Sequence, residues 1–506
     1  MGKRWAVVAG LLALSTVAIP AAAAGDPAVV RTDAGAVRGT VTEQVRTFEG
    51  VPYAAPPVGE LRWRAPQPVR PWTSVRDATA PGSVCPQEQN PEAPRGSTDE
   101  DCLYLNVTTP TGGARRKPVV VWVPGGGFFM GAGSNYGPER LATRGDAVVV
   151  TINYRLGVFG FYGRHGLPGS GTFGLQDQQA ALRWVQRNIG AFGGDPGNVT
   201  LAGESAGGMS TCAQLTSPLS AGLFHRAIMQ SGSCDFDWPD AGQYPSQKAG
   251  SYWVPQDEIR RDGDAMAAEL GCATVECLRA KPAAELMGQF TRFTSSATGT
   301  PVLPQNPKDA LRAGRFHRVP VLSGTNHDEA RSYMTAFNGG DIDATMYRQL
   351  LVNMAGPEQA ARIAEEYPVP AYESPMHAWA AVTTDRIWSC TQHSAGRELA
   401  RKVPVYSYDF ADRHSPIAGD LGAAHAVELP YLFALTGIEF PFPPDQRRLS
   451  EQMLDYWTAF ARTGDPNGPG RPKWTTDQAL TLAPSGQGGI RPVDLAAEHH
   501  CTFWNG

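Results

Sequence analysis

The sequence predicts an α/β protein built on a central, mostly parallel sheet flanked by helices. Residues 118–123 and 147–154 are apolar without alternation, as strands buried on both faces must be. Around them, short β-branched runs alternate with segments whose apolar residues recur at helical spacing, the rhythm of strand–helix–strand units. The 506 residues, 42% hydrophobic and 18% charged, suffice for a large buried core.

In chain order, Lys3 and Arg4 precede an apolar run from Trp5 to Ile19, then Pro20 and small residues from Ala21 to Gly25. Charged head, short apolar run and small-residue cleavage site predict a secretory signal peptide over 1–24 and an exported, extracellular protein. The run is short for a spanning helix, so no stable membrane anchor is expected. The remainder, 25–506, reads as one domain. Residues 29–40 alternate apolar and polar with Gly35 and Gly39, predicting an antiparallel hairpin. The proline-rich stretch 48–57 carries Phe48 and Tyr53 and must be ordered. Strands are predicted at 103–107, at 118–123 ending in Pro124-Gly125-Gly126-Gly127, and at 147–154. A helix over 176–189 follows, with Leu182, Val185 and Ile189 on one face. Residues 199–202 form the next strand, 206–216 a helix and 226–230 a strand. Over 234–318 the rhythm breaks into helical and Gly/Pro-rich pieces, which predicts an insertion over the catalytic face. Strands resume at 319–323 and 405–410, and a helix carrying Leu454, Trp457 and Phe460 runs to the turn at Gly464.

The net charge of −5, without a run of Lys or Arg, argues against nucleic acid and anionic membrane surfaces as partners. No phosphate-cradling glycine loop, C-x-x-C pair or H-E-x-x-H occurs, so no cofactor and no metal are expected.

The chemistry starts at Gly203-Glu204-Ser205-Ala206-Gly207-Gly208. A strand that stops at a glycine, presents a serine and continues as a helix is the G-x-S-x-G turn, whose tightness excludes a Cβ at the two glycines. The bare pattern also arises by chance in a glycine-rich chain, so a base, an acid and oxyanion donors must accompany it. Two histidines follow the strand at 405–410. His414 sits in a polar loop, whereas His425 sits in small apolar surroundings that suit a general base better. The acid follows the strand at 319–323, where Asp328 and Glu329 both qualify. Backbone N–H groups of Gly125-Gly126-Gly127 and of Ala206 supply the oxyanion donors. Of eight cysteines, Cys85 with Cys102, Cys272 with Cys277 and Cys390 with Cys501 could close loops, other pairings staying open. Cys212 and Cys234 are expected as buried thiols.

With these residues in view, the chain resembles the type-B carboxylesterase/lipase family, the cholinesterase-like α/β-hydrolases. The likeness runs through Phe48-Glu49-Gly50-Val51-Pro52-Tyr53, Glu100-Asp101-Cys102-Leu103-Tyr104-Leu105-Asn106-Val107, Asn153-Tyr154-Arg155-Leu156-Gly157, Gly174-Leu175-Gln176-Asp177-Gln178 and Phe192-Gly193-Gly194-Asp195-Pro196 to the nucleophile motif. It implies the α/β-hydrolase fold, Ser205 as nucleophile, Glu329 as acid, His425 as base, and Gly126, Gly127 and Ala206 as the oxyanion hole. It supports the disulfides Cys85–Cys102, Cys272–Cys277 and Cys390–Cys501, and a structural ion pair between Arg62 and Glu100. Pro124 stands where relatives often carry His or Tyr, so the glycine loop must be braced by other means, and Ala330 replaces the usual glycine after the acid. The loop between Cys85 and Cys102 holds no tryptophan, which disfavours choline esters, and it is short for a lipase lid. The function implied is a secreted serine esterase acting on small-molecule esters. Phe128, Phe129 and Phe236 are candidates for the acyl side of its pocket or for core. A lipase, amidase or carbamate hydrolase would share the machinery, and a non-catalytic binding protein would share only the fold.

Overall fold

The computed structural model describes Gly2 and residues 26–505 apart from 91–92, 94–95 and 113–115, so the expected signal peptide lies outside the described residues. Eleven strands form one sheet: β1 (Thr40–Val41), β2 (Val45–Pro52), β3 (Tyr104–Pro110), β4 (Lys117–Val123), β5 (Val148–Ile152), β6 (Gly194–Glu204), β7 (Arg226–Gln230), β8 (Val321–Asn326), β9 (Val405–Phe410), β10 (Ala479–Leu482) and β11 (Arg491–Val493). Their spatial order is β11-β10-β9-β8-β7-β6-β4-β5-β3-β2-β1. The seven strands from β10 to β5 pair in parallel, and the flanking strands are antiparallel.

Every residue of β4 and β5 is buried. Because side chains alternate across a strand, Val119, Val121 and Val123 join one core layer while Val120 and Trp122 join the other. The first layer is completed by helices α1 (Phe173–Asn188) and α2 (Ala206–Thr216), through residues such as Leu182, Val185 and Met209. Further along the chain come α3 (Gln256–Glu269), α4 (Ala344–Ala355), α5 (Pro357–Glu366), α6 (Pro375–Thr383) and α7 (Cys390–Ala400). The second layer is completed by α8 (Pro444–Thr463), through Leu454, Trp457 and Phe460.

The predicted hairpin is present as Val29–Arg31 against Ala36–Arg38. The helices between β8 and β9, residues 329–400, were not anticipated in the sequence reading. Much of this run has its own core, including Leu350, Ile363 and Trp379. A π-helical turn, Thr384–Ser389, separates α6 from α7.

All eight cysteines are paired. The three expected bridges are present, and Cys212 and Cys234, expected as thiols, form a fourth with Cα atoms 5.4 Å apart. The correction has a topological reason: α2 and the segment after β7 lie side by side, a proximity that a sequence separation of 22 does not disclose. Arg62 and Glu100 form the expected buried ion pair, and Arg155 grips buried Asp177 through two hydrogen bonds of 2.7 Å.

In an open parallel sheet, ligands bind where successive strands leave in opposite directions. The chain runs from β4 outward to β5, then returns to place β6 on the other side of β4. The crevice at the carboxyl ends of β4 and β6 therefore lies between Gly125–Gly127 and Ser205.

Candidate active site

Ser205 follows β6 with φ 55° and ψ −122°, a conformation that costs roughly 1–3 kcal/mol and is held by the structure around it. Its N–H donates to the Gln230 carbonyl (2.9 Å), and its own carbonyl accepts from Met209 N–H (2.9 Å). A Cβ on Gly203 would strike the Gly207 backbone, and one on Gly207 would strike the Val123 carbonyl. Both glycines are thus required for strand and helix to pass this closely. The N–H of Ala206 opens α2, where helical N–H groups have no intrahelical partner.

The glycine loop leaves β4 directly opposite. A Cβ on Gly125 would lie 2.7 Å from a Glu204 carboxylate oxygen and 3.2 Å from the Ser205 Cβ, so the loop rests on the serine turn. Gly126 and Gly127 have φ of 95° and 58°. The brace that Pro124 cannot offer through a polar side chain comes from two other residues. The Tyr154 hydroxyl donates to the Pro124 carbonyl (3.1 Å). The Gln87 side chain both donates to the Gly131 carbonyl and accepts from its N–H, each at 3.1 Å. Gln87 lies between Cys85 and Cys102, so that short loop is bonded to the segment following the glycines.

The acid and base loops meet beyond β8 and β9. His425 Nδ1 is 2.6 Å from Glu329 Oε2, and the His425 N–H donates to the Glu329 carbonyl (3.1 Å). Glu329 Oε1 accepts from the Asn326 N–H (2.9 Å), which fixes the carboxylate plane. Asp328, the other candidate acid, clamps the histidine loop instead: it accepts from Ala423 N–H (3.0 Å), donates its own N–H to the Ala423 carbonyl (2.9 Å), and pairs with Arg331. His414 is exposed and uses its backbone to bond Asp412 and Gln446. The structure therefore brings Ser205, Glu329, His425, Gly126, Gly127 and Ala206 to the carboxyl ends of β4, β6, β8 and β9, and leaves His414 aside.

Two carboxylates beside this group escaped the sequence reading. Glu204 Oε1 lies 3.2 Å from His425 Nε2. Buried Glu428 accepts from Asn326 Nδ2 (2.7 Å) and Gln230 Nε2 (2.9 Å), and burial raises its pKa. Glu204 occupies the variable second position of the serine motif, and Glu428 stands three residues after the histidine, but neither spacing announces a role. Burial alone would lower the His425 pKa. The Glu204 and Glu329 carboxylates outweigh it and push the imidazole up to about 9.

An aromatic wall adjoins His425. The Trp388 ring, on the π-helical turn, is 4.4 Å from the imidazole, and Phe236 packs edge-on to Trp388 at 4.5 Å. Trp238, Tyr252 and Tyr333 extend it. Of the phenylalanines considered for the acyl side, Phe236 belongs to this wall, Phe128 is fully buried between Phe161 and Tyr252, and Phe129 is exposed. The inserted segment after β7 thus contributes to the wall beside His425.

The sequence model of the carboxylesterase family matches residues 26–483. Para-nitrobenzyl esterase of Bacillus subtilis (strain 168) is 36% identical over 458 residues, covering 87% of this chain and 90% of the relative. Acylcarnitine hydrolase of Mus musculus is 34% identical over 466 residues, covering 85% and 81%. A solved structure titled PNB esterase superposes with a TM-score of 0.77 at 32% identity, over 92% of this chain and 97% of the other. The architecture is that of the α/β-hydrolases.

Proposed function

Because the chain belongs to the carboxylesterase family and is a carboxylic ester hydrolase, we propose that it is a secreted serine esterase working through a Ser205–Glu329–His425 triad. The observation that carries this reading is the 2.6 Å contact between His425 Nδ1 and Glu329 Oε2, made beside the strained Ser205 turn. Ser205 Oγ attacks the ester carbonyl as His425 takes its proton, and Glu329 stabilises the imidazolium. N–H groups of Gly126, Gly127 and Ala206 receive the oxyanion. The imidazolium then protonates the leaving alcohol, and water attacks the acyl-enzyme by the same route in reverse. Four disulfides accord with export. No helix among the described residues is long and apolar enough to cross a membrane.

The substrate class is small soluble esters rather than lipid droplets. The loop between Cys85 and Cys102 is short for a lid, and its Gln87 is bonded to Gly131, in the segment following the glycines. The experiment is hydrolysis of p-nitrophenyl esters of graded acyl length, with labelling by an organophosphate. Short and medium chains should be preferred and the label should map to Ser205. A steep preference for long chains would overturn the substrate class, and a label elsewhere would overturn the nucleophile.

The two flanking carboxylates set the pH dependence. His425 must be neutral to act as base, so kcat/KM should fall as pH drops through its pKa. Since that pKa is raised from 6.5 to about 9, the stabilisation given by the charged pairs is complete below 6.5 and disappears as pH rises through about 9. Glu204→Gln removes one of the raising charges. The acid limb of the kcat/KM profile should move to lower pH, by about one to three pH units, with some loss of stability at neutral pH. A limb that stays in place would show that Glu204 does not govern the imidazole.

Tyr154→Phe deletes the brace on the Pro124 carbonyl. We expect kcat to drop by about 10-fold with little change in KM, less than the 10²–10³ that losing an oxyanion donor costs. Unchanged kcat would mean that Gln87 alone holds the loop.

A further inference from the structure

Away from the triad, on the far side of the acid loop, four titratable side chains from four separate elements meet in the interior. Asp409 is the fifth residue of β9. His327 follows β8 directly, its N–H bonded to the Phe410 carbonyl (2.8 Å). His499 lies in the C-terminal segment that the Cys390–Cys501 bridge ties to α7, and Asp385 lies on the π-helical turn. His499 Nε2 is 3.3 Å from Asp409 Oδ1, and His327 Nδ1 is 3.0 Å from Asp409 Oδ2. One donor atom from each of these three residues lies within 4.8 Å of the other two. The proposed reaction uses none of them.

We propose that His327, His499 and Asp409 form a binding site for a single zinc-class divalent cation. Two imidazoles and a carboxylate are a recurring zinc donor set, and at Zn–N and Zn–O lengths of about 2.0–2.1 Å neighbouring donors of a tetrahedral centre are separated by about 3.3 Å. The two Asp409 contacts, 3.0 and 3.3 Å and made to different carboxylate oxygens, put each imidazole near that edge length from one oxygen, and a bound ion would replace these direct contacts. The surroundings match what a ligating histidine needs. His499 Nδ1 is held at 2.7 Å by Asp385 Oδ1, which leaves Nε2 directed at the site, and Asp385 is itself held by the Tyr367 hydroxyl (2.8 Å). A carboxylate behind a histidine in this way fixes its tautomer and raises its basicity as a ligand. The charge also closes: with both imidazoles neutral, the Asp409 and Asp385 carboxylates carry two buried negative charges, which one divalent cation balances. His499 and Asp409 are buried, whereas the His327 side chain keeps 21% of its surface exposed, providing a path for the ion and a position for a water ligand. The expectation of no metal rested on local motifs. Ligands at positions 327, 409 and 499 form no local motif.

The test uses tag-free full-length protein, stripped with a chelator and dialysed. Equilibrium dialysis against micromolar Zn²⁺ should give one ion per chain, Zn²⁺ should raise the melting temperature, and Co²⁺ should produce the visible d–d absorption of a tetrahedral centre that Zn²⁺ then abolishes. Asp385→Asn, which alters no proposed ligand but only the group behind His499 and beside the Tyr367 hydroxyl, should weaken Zn²⁺ binding roughly 10–100-fold. His499→Gln and the partly exposed His327→Gln should weaken it further. No stoichiometric binding by the wild-type protein would overturn the proposal and leave the four residues as a hydrogen-bonded clamp on the C-terminus. Binding unchanged in both His327→Gln and His499→Gln would place the ion elsewhere and overturn it equally. The wild-type measurement decides the first outcome even if a variant fails to fold.

Discussion

Replacing Ser205 by alanine should lower kcat on a short p-nitrophenyl ester by about 10⁶-fold, the scale seen when a serine nucleophile is removed from a triad of this kind. The side chain is small and makes none of the contacts that hold the turn, which are backbone bonds from Ser205 N–H to Gln230 and from Met209 N–H to Ser205. The variant should therefore melt near the wild type, because alanine keeps the Cβ and with it the same strained φ. Organophosphate labelling should vanish with the activity. Activity within tenfold of wild type would end the nucleophile assignment, and with it the proposed mechanism.

His425→Ala should cost nearly as much, because a serine without its base and a base without its serine fail alike. The loss should be in kcat, since the proposed role of His425 is proton transfer at the reacting atoms and not contact with the remote parts of a substrate. The informative comparison is His414→Ala, which alters an exposed side chain and should leave kcat/KM within about twofold of wild type. His425→Ala also leaves Glu204 and Glu329 facing each other without the imidazole that lies 3.2 and 2.6 Å from them. Two buried carboxylates without a cation repel, so this variant should lose stability at neutral pH and regain part of it under mildly acidic conditions, where one of them protonates. Thermal melts at two pH values would read that directly. If His414→Ala were instead the inactive variant, the base would have been misassigned.

Where the physics is local, the sequence was sufficient. β4 and β5 are legible because buried parallel strands must be apolar on both faces, and residues 118–123 and 148–152 comply. The serine turn is legible because no residue larger than glycine fits at Gly203 or Gly207, and the glycine loop because three successive glycines after a strand have few other uses. The order of serine, acid and histidine along the chain then points to the fold.

The rest required distances between residues that are remote in sequence. Composition left Asp328 and Glu329 equivalent; the family resemblance implied Glu329, and the packed loops put Asp328 on Ala423 and Glu329 against the imidazole. His425 and His414 follow the same strand, and burial beside Glu329 separates them. Cys212 and Cys234, the Tyr154 and Gln87 braces, the Glu204 and Glu428 carboxylates and the helices between β8 and β9 were likewise decided by tertiary structure. Each depends on which loops the sheet order β8-β7-β6-β4 brings to one edge. By itself, the sequence determined six of the seven parallel strands (Ala479–Leu482 was not predicted), the serine turn and the chemical types the site would need. Which of the candidate side chains lie side by side was decided by the convergence of strand ends, because hydrogen bonds and ion pairs depend on separation in space and leave no periodic trace along the chain.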